Sequence, residues 1–126
     1  MVDQLAMLGF QLDRVETRDG SEVYRLDTPF LLDNEFTFDI FVEWQDGKLH
    51  LFDEGLTWHN IGAMGYRLNE ENFKRYRDFM QENGVTVEDD AVLSLSGLQT
   101  DAQDVVARYL TACVLLDKNA KMLFKW

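Results

Sequence analysis

The stretch Phe36-Thr37-Phe38-Asp39-Ile40-Phe41-Val42-Glu43-Trp44, followed by Gln45-Asp46-Gly47-Lys48 and then Leu49-His50-Leu51-Phe52, decides the fold. Apolar and polar residues alternate over 36–44 with a period of two, the pattern of a strand with one buried face. Asp46-Gly47 is a turn pair that folds such a strand back on itself. A two-residue turn sets the register: Gln45 opposite Lys48, Glu43 opposite His50, Phe41 opposite Phe52 and Asp39 opposite Glu54. Phe36, Phe38, Ile40, Val42 and Trp44 then form the core face, with Trp44 and Val42 facing Leu49 and Leu51. The other face is polar and acidic except for Phe41 and Phe52, an aromatic pair that either packs under a helix or lies exposed as a contact patch.

Upstream, Val2 to Leu8 reads as a short helix ended by Gly9, and Phe10 to Thr17 and Glu22 to Phe30 read as strands around the turn pair Asp19-Gly20. Downstream, Asp53-Glu54-Gly55 makes a tight turn, and Thr57 caps a short helix that runs to about Met64 and stops at Gly65. Asn69 caps a second helix with the stripe Phe73, Tyr76, Phe79 and Met80, which Gly84 terminates. Val85 to Val87 and Ala91 to Leu95 form a small hairpin around Asp89-Asp90. Thr100-Asp101-Ala102-Gln103 matches a capping box, opening a helix over about 101–117 whose apolar face runs through Val105, Val106, Tyr109, Leu110, Cys113 and Leu116. Strands come mostly first and in hairpins. The expected fold is therefore α+β, an antiparallel hairpin sheet with helices packed on one side, in a single domain spanning 1–126.

The chain has 126 residues, 46% hydrophobic and 28% charged, enough to bury a core without metal or disulfide staples. Cys113 is the only cysteine, so no internal disulfide forms. Met1 to Phe10 carries Asp3 and no Lys or Arg, unlike the basic flank of a secretion signal, and no apolar run approaches the length of a membrane span. The cytoplasm is the expected compartment.

The 23 acidic and 12 basic residues give net charge −11, and the imbalance is regional. Up to Asn60 there are 13 acidic and 4 basic residues, net −9, against net −2 in the remainder. Such a charge repels nucleic-acid phosphates and anionic lipid, so direct binding to either is not expected. It favours a basic partner, although the same charge is also what solubility alone would produce.

The densest group of reactive side chains is His50, Asp53, Glu54 and His59, with Asp39 brought near by the hairpin register. It contains the donor types of a zinc or non-haem iron site but lacks the ligand spacing of one. The alternative has Asp53 or Glu54 bonding turn amides and His50 contacting Glu43 across the strands, and no metal or cofactor is expected. Neighbouring carboxylates such as Asp53 and Glu54 point to opposite faces of an extended chain, so they do not converge for general acid-base work. Cys113 sits on an apolar helical stripe and reads as a core residue. Lys74 and Arg77 read as a solvated helix face. The apolar tail Lys118 to Trp126 either folds back onto the core or docks on a partner or second copy.

At Thr28-Pro29-Phe30, Asp39-Ile40-Phe41-Val42, Asp46-Gly47-Lys48-Leu49 and Asp53-Glu54-Gly55-Leu56-Thr57, extended by Gly65 and Gly84-Val85, the sequence resembles domain of unknown function 1828 over about residues 24–90. Members of that family are often phage or prophage proteins, and it brings no catalytic residues to carry over. The resemblance implies a mobile-element setting. The reading is then a small acidic, non-enzymatic protein that binds a host protein stoichiometrically and inhibits a defence or nucleic-acid-handling complex of the CRISPR or restriction kind, with carboxylates standing in for phosphates. Glu35, Asp39, Glu43, Asp46 and Glu54 would meet Lys and Arg of the partner, with Phe41 and Phe52 as apolar anchors. The alternative is an antitoxin or immunity protein that neutralises a co-encoded toxin, and the tail offers a route to a homodimer.

Overall fold

The computed structural model of the chain describes residues 11–15, 22–27 and 40–125. Six strands form one sheet: β1 (Gln11–Val15), β2 (Val23–Asp27), β3 (Ile40–Gln45), β4 (Lys48–Phe52), β5 (Thr86–Val87) and β6 (Leu93–Leu98). Their order across the sheet is β1-β2-β3-β4-β6-β5, and every pairing is antiparallel. Among the described residues three helices accompany the sheet: α1 (Leu56–Ala63), α2 (Glu70–Glu82) and α3 (Ala102–Leu123). This is the α+β architecture expected from the hairpin pattern.

The central hairpin has the register that its turn dictates. Phe41 pairs with Phe52, Glu43 with His50 and Gln45 with Lys48, around Asp46 (φ 53°) and Gly47 (φ 74°). Two consecutive positive φ angles give the turn a twist that matches its strands. Ile40, Val42, Leu49 and Leu51 are fully buried on the core face, with Trp44 half-buried beside them. β4 ends at Phe52, so Glu54 leaves the sheet and turns left-handed (φ 59°) before α1. The sequence-based helix 2–8, the turn at Asp19-Gly20, the core positions Phe36 and Phe38, and the site residues Glu35 and Asp39 lie outside the described residues.

The helices cover the core face, where Ile61, Tyr76, Met80, Val106, Tyr109, Ala112 and Leu116 interlock with the inward residues of β3, β4 and β6. α2 behaves as its sequence dictates. The Asn69 side chain accepts from the Asn72 amide, and Gly84 (φ 85°) follows the last turn. Two caps differ from expectation. α1 begins after Gly55 (φ 83°), and Thr57 is buried within it, because the Asp53 carboxylate takes over the capping bond. The Thr100 capping box is not used: a 3-10 turn over Gln99–Asp101 leads into α3, and Asp101 makes no side-chain cap.

α3 also runs on to Leu123 rather than stopping near 117. Ala120 and the following Phe124 are buried, which continues the apolar stripe past Lys118 and Asn119. The tail folds back: Phe124 packs on Tyr66 at 5.6 Å. The Asn72 side chain donates to the carbonyls of Arg67 and Lys125 and accepts the Lys125 amide. Arg75 donates to the Leu123 carbonyl and pairs with Glu71. Met122 alone of the described tail's large apolar side chains is widely exposed, at 80%.

Candidate functional site

Alternation puts Phe41 and Glu43 of β3, Lys48, His50 and Phe52 of β4, and Ser94, Ser96 and Leu98 of β6 on the face of the sheet opposite the helices. Phe41 and Phe52 stack across the strands with centroids 5.6 Å apart and planes 23° apart. His50 continues the stack on Phe52 at 5.4 Å and 22°. A 2.7 Å hydrogen bond joins its Nδ1 to Ser96 Oγ, so His50 is held by β6, although Glu43 is its register partner on β3. The three rings remain half-buried, and Leu98 beside them is 55% exposed.

The charges of this face are mixed. Asp13 and Arg25 approach to 4.0 Å, and Glu43 lies between the Arg25 row and Lys48. Asp46 is exposed in the hairpin turn, and Glu54 is exposed in the turn before α1, at the opposite end of the strand. Of the expected contact residues, Phe41, Phe52 and Glu43 therefore share the face, while Asp46 and Glu54 lie at the two ends of β4.

The His50, Asp53, Glu54, His59 group is not assembled. Asp53 turns inward and is 1% exposed, accepting from the amides of Gly55 (2.9 Å), Thr57 (3.0 Å) and Leu93 (2.7 Å). His50 points away on the far face of the sheet, and His59 is exposed on α1. Among the described residues no cluster of His, Cys, Asp and Glu is arranged to hold a metal ion. Asp53 belongs to the architecture: one carboxylate fixes the turn, starts α1 and holds β6.

Behind Asp53 the core contains further polar atoms. Burial, with smaller contributions from the neighbouring Cys113 and Asp53, pushes the phenols of Tyr76 and Tyr109 well above their ordinary range. Burial does the same to the Cys113 thiol. The neutral forms are thereby favoured, which suits packing rather than nucleophilic chemistry.

A second surface feature escaped the sequence reading. An open groove of about 650 Å³ runs along α2, lined by Trp58 and Phe73, by Glu70, Lys74 and Arg77 of α2, and by Asp89 and Asp90 of the β5–β6 turn. Trp58 meets Phe73 edge-on at 5.3 Å and stacks on Tyr76 at 5.3 Å, while the Arg77 guanidinium lies 5.6 Å above the Phe73 ring. The helical spacing of Phe73, Lys74 and Arg77 was visible, but nothing in the sequence brings the β5–β6 turn opposite them.

Fold and surface together define an α+β domain with a helix-backed antiparallel sheet, an aromatic patch on the face opposite the described helices and a charged groove beside α2. Residues 28–115, more than two thirds of the chain, match the family described as Domain of unknown function DUF1828, and the chain belongs to that family. No curated protein and no solved structure matches it. No described helix is long and apolar enough to cross a membrane.

Proposed function

We propose that the chain is a stoichiometric protein-binding domain of the inhibitor type, which engages a protein with a basic surface through the sheet face carrying Phe41, His50 and Phe52. The observation that carries this reading is the three-ring stack on a face that no described helix covers. Folding gains more from rings buried in the core than from rings left half-exposed, whereas protein interfaces concentrate aromatic side chains in their anchors. A net charge of −11 favours approach by a basic partner.

In its fuller form the partner is a nucleic-acid-handling complex of a host defence system, and the carboxylates occupy phosphate positions. The described face supports the contact more than the mimicry, since Asp13 and Glu43 share it with Arg25 and Lys48. Affinity capture from a bacterial lysate at low and moderate salt tests both forms, using the parent chain, Phe52→Ser and Glu43→Lys. The reading expects a basic protein that Phe52→Ser no longer retains and that Glu43→Lys holds more weakly, with both variants still folded by thermal melt. Identical retention by all three chains overturns the sheet-face contact. Retention lost with Phe52→Ser but insensitive to salt and to Glu43→Lys overturns only the charge-based form.

A further inference from the structure

The groove beside α2 is a separate feature from the sheet face, and its charges are arranged in an unusual way. Lys74 and Arg77 project from one helical face, four and seven residues after Glu70, yet among the described residues neither forms an ion pair with a carboxylate. Asp89 and Asp90 stand on the opposite wall, also without an ion pair there, and Asp90 is engaged only with the Val92 amide. Glu70 also lines the groove, at the start of α2, so the α2 side carries two cations and one carboxylate against the two carboxylates of the β5–β6 turn, and the charges of the two sides do not close on each other. Between them lies an aromatic floor, Trp58 and Phe73, both half-buried.

A simple anion would meet Asp89 and Asp90, and a simple cation would meet Lys74 and Arg77. A zwitterion with a flat apolar body satisfies both walls and the floor together. The groove is broad and largely open, and its volume of about 650 Å³ has room for one small molecule lying along it. We propose that this groove binds a free α-amino acid with an aromatic side chain. The ring lies against Trp58 and Phe73, the carboxylate faces Lys74 and Arg77, and the ammonium faces Asp89 and Asp90. This site does not depend on the protein-binding role of the sheet face.

The test is an NMR titration of the ¹⁵N-labelled chain with L-phenylalanine, following the Trp58 indole and the amides of α2 and the β5–β6 turn. Two half-charged analogues serve as comparators: 3-phenylpropanoate lacks the ammonium and 2-phenylethylamine lacks the carboxylate. The proposal expects saturable shifts confined to the groove, with each analogue binding about five-fold or more weakly, as for a partly exposed ion pair. The variant K74Q/R77Q should lose the preference for L-phenylalanine over 2-phenylethylamine, and D89N/D90N the preference over 3-phenylpropanoate. No shift up to about 10 mM, a ligand weaker than any specific site of this size would give, overturns the proposal. So do shifts centred on Phe41 and Phe52, or equal affinity for all three compounds.

Discussion

Replacing Asp53 tests how the molecule ties its sheet to its helices. In Asp53→Ala, three backbone amides lose their acceptor: Gly55 at the partly open turn, and Thr57 and Leu93 in buried surroundings. A buried donor left unsatisfied costs about 1–3 kcal/mol, while water reaches the Gly55 amide and recovers much of its loss. Removing the carboxylate also relieves the cost of burying it, which offsets part of the penalty. The net expectation is about 3 kcal/mol of destabilisation, read as a fall in urea midpoint and a thermal midpoint lower by about 10 °C. Asp53→Asn separates the contributions. Its amide oxygen can stand where Oδ1 accepts from Gly55 and Leu93, but its nitrogen then faces the Thr57 amide, donor against donor. It should lose about half as much, and keep hydrogen-exchange protection at Leu93 that Asp53→Ala loses. A loss below about 1 kcal/mol in Asp53→Ala, or equal losses in the two variants, refutes this account of the carboxylate.

Further expectations follow from packing and titration. A Cβ on Gly97 would overlap Val105 Cγ2, so Gly97→Ala should destabilise by about 1–3 kcal/mol, and Val105→Ala in the same chain should recover part of it in a double-mutant cycle by urea unfolding. Cys113 is buried and its thiol is held neutral by that burial, so iodoacetamide should label it slowly in buffer and quickly in denaturant; rapid native labelling would contradict the packed α3 interface. The Glu71 carboxyl is held below its ordinary range by its hydrogen bond to Lys125, aided by the charges of Lys125 and Arg75. A depressed folded-state pKa contributes stability above the ordinary carboxylate range, lost as pH falls through the folded value. Glu71→Gln should therefore be slightly less stable than the parent in urea unfolding at neutral pH, and the difference should vanish as pH falls through the folded-state value; an equal deficit at every pH would contradict the assignment.

How much of this was legible in the sequence depends on how local each feature is. The β3–β4 register follows from a two-residue turn and strict alternation, and α2 follows from Asn69 and Gly84, because both sets of signals lie within a few residues of what they control. The role of Asp53 was only half visible. A turn carboxylate bonding nearby amides is a local pattern, but its bond to Leu93 spans 40 residues. Thr57 and Thr100 look like caps because hydroxyls usually serve that way, and each loses to a neighbour: Thr57 to Asp53, and Thr100 to the 3-10 turn. The groove was not legible, since Trp58, Phe73 and Asp89 come from three elements whose meeting is set by tertiary packing alone. The aromatic pair on the sheet face was readable as a pair, and its continuation through His50 followed once the register was known.

The strand order has a consequence for how the molecule assembles in time. β4 is made with its hairpin partner, a local event on the microsecond scale, but its other neighbour, β6, arrives only after two helices and β5 have been threaded past. A late strand meeting a finished edge has several registers open to it, and a slip of one residue would turn Leu93 and Leu95 outward. Asp53 sits at the end of that waiting edge with a free lone pair aimed at a single amide, that of Leu93. It therefore acts as an alignment mark, rewarding one docking position over its neighbours and making the slow closure of the sheet end in the native register.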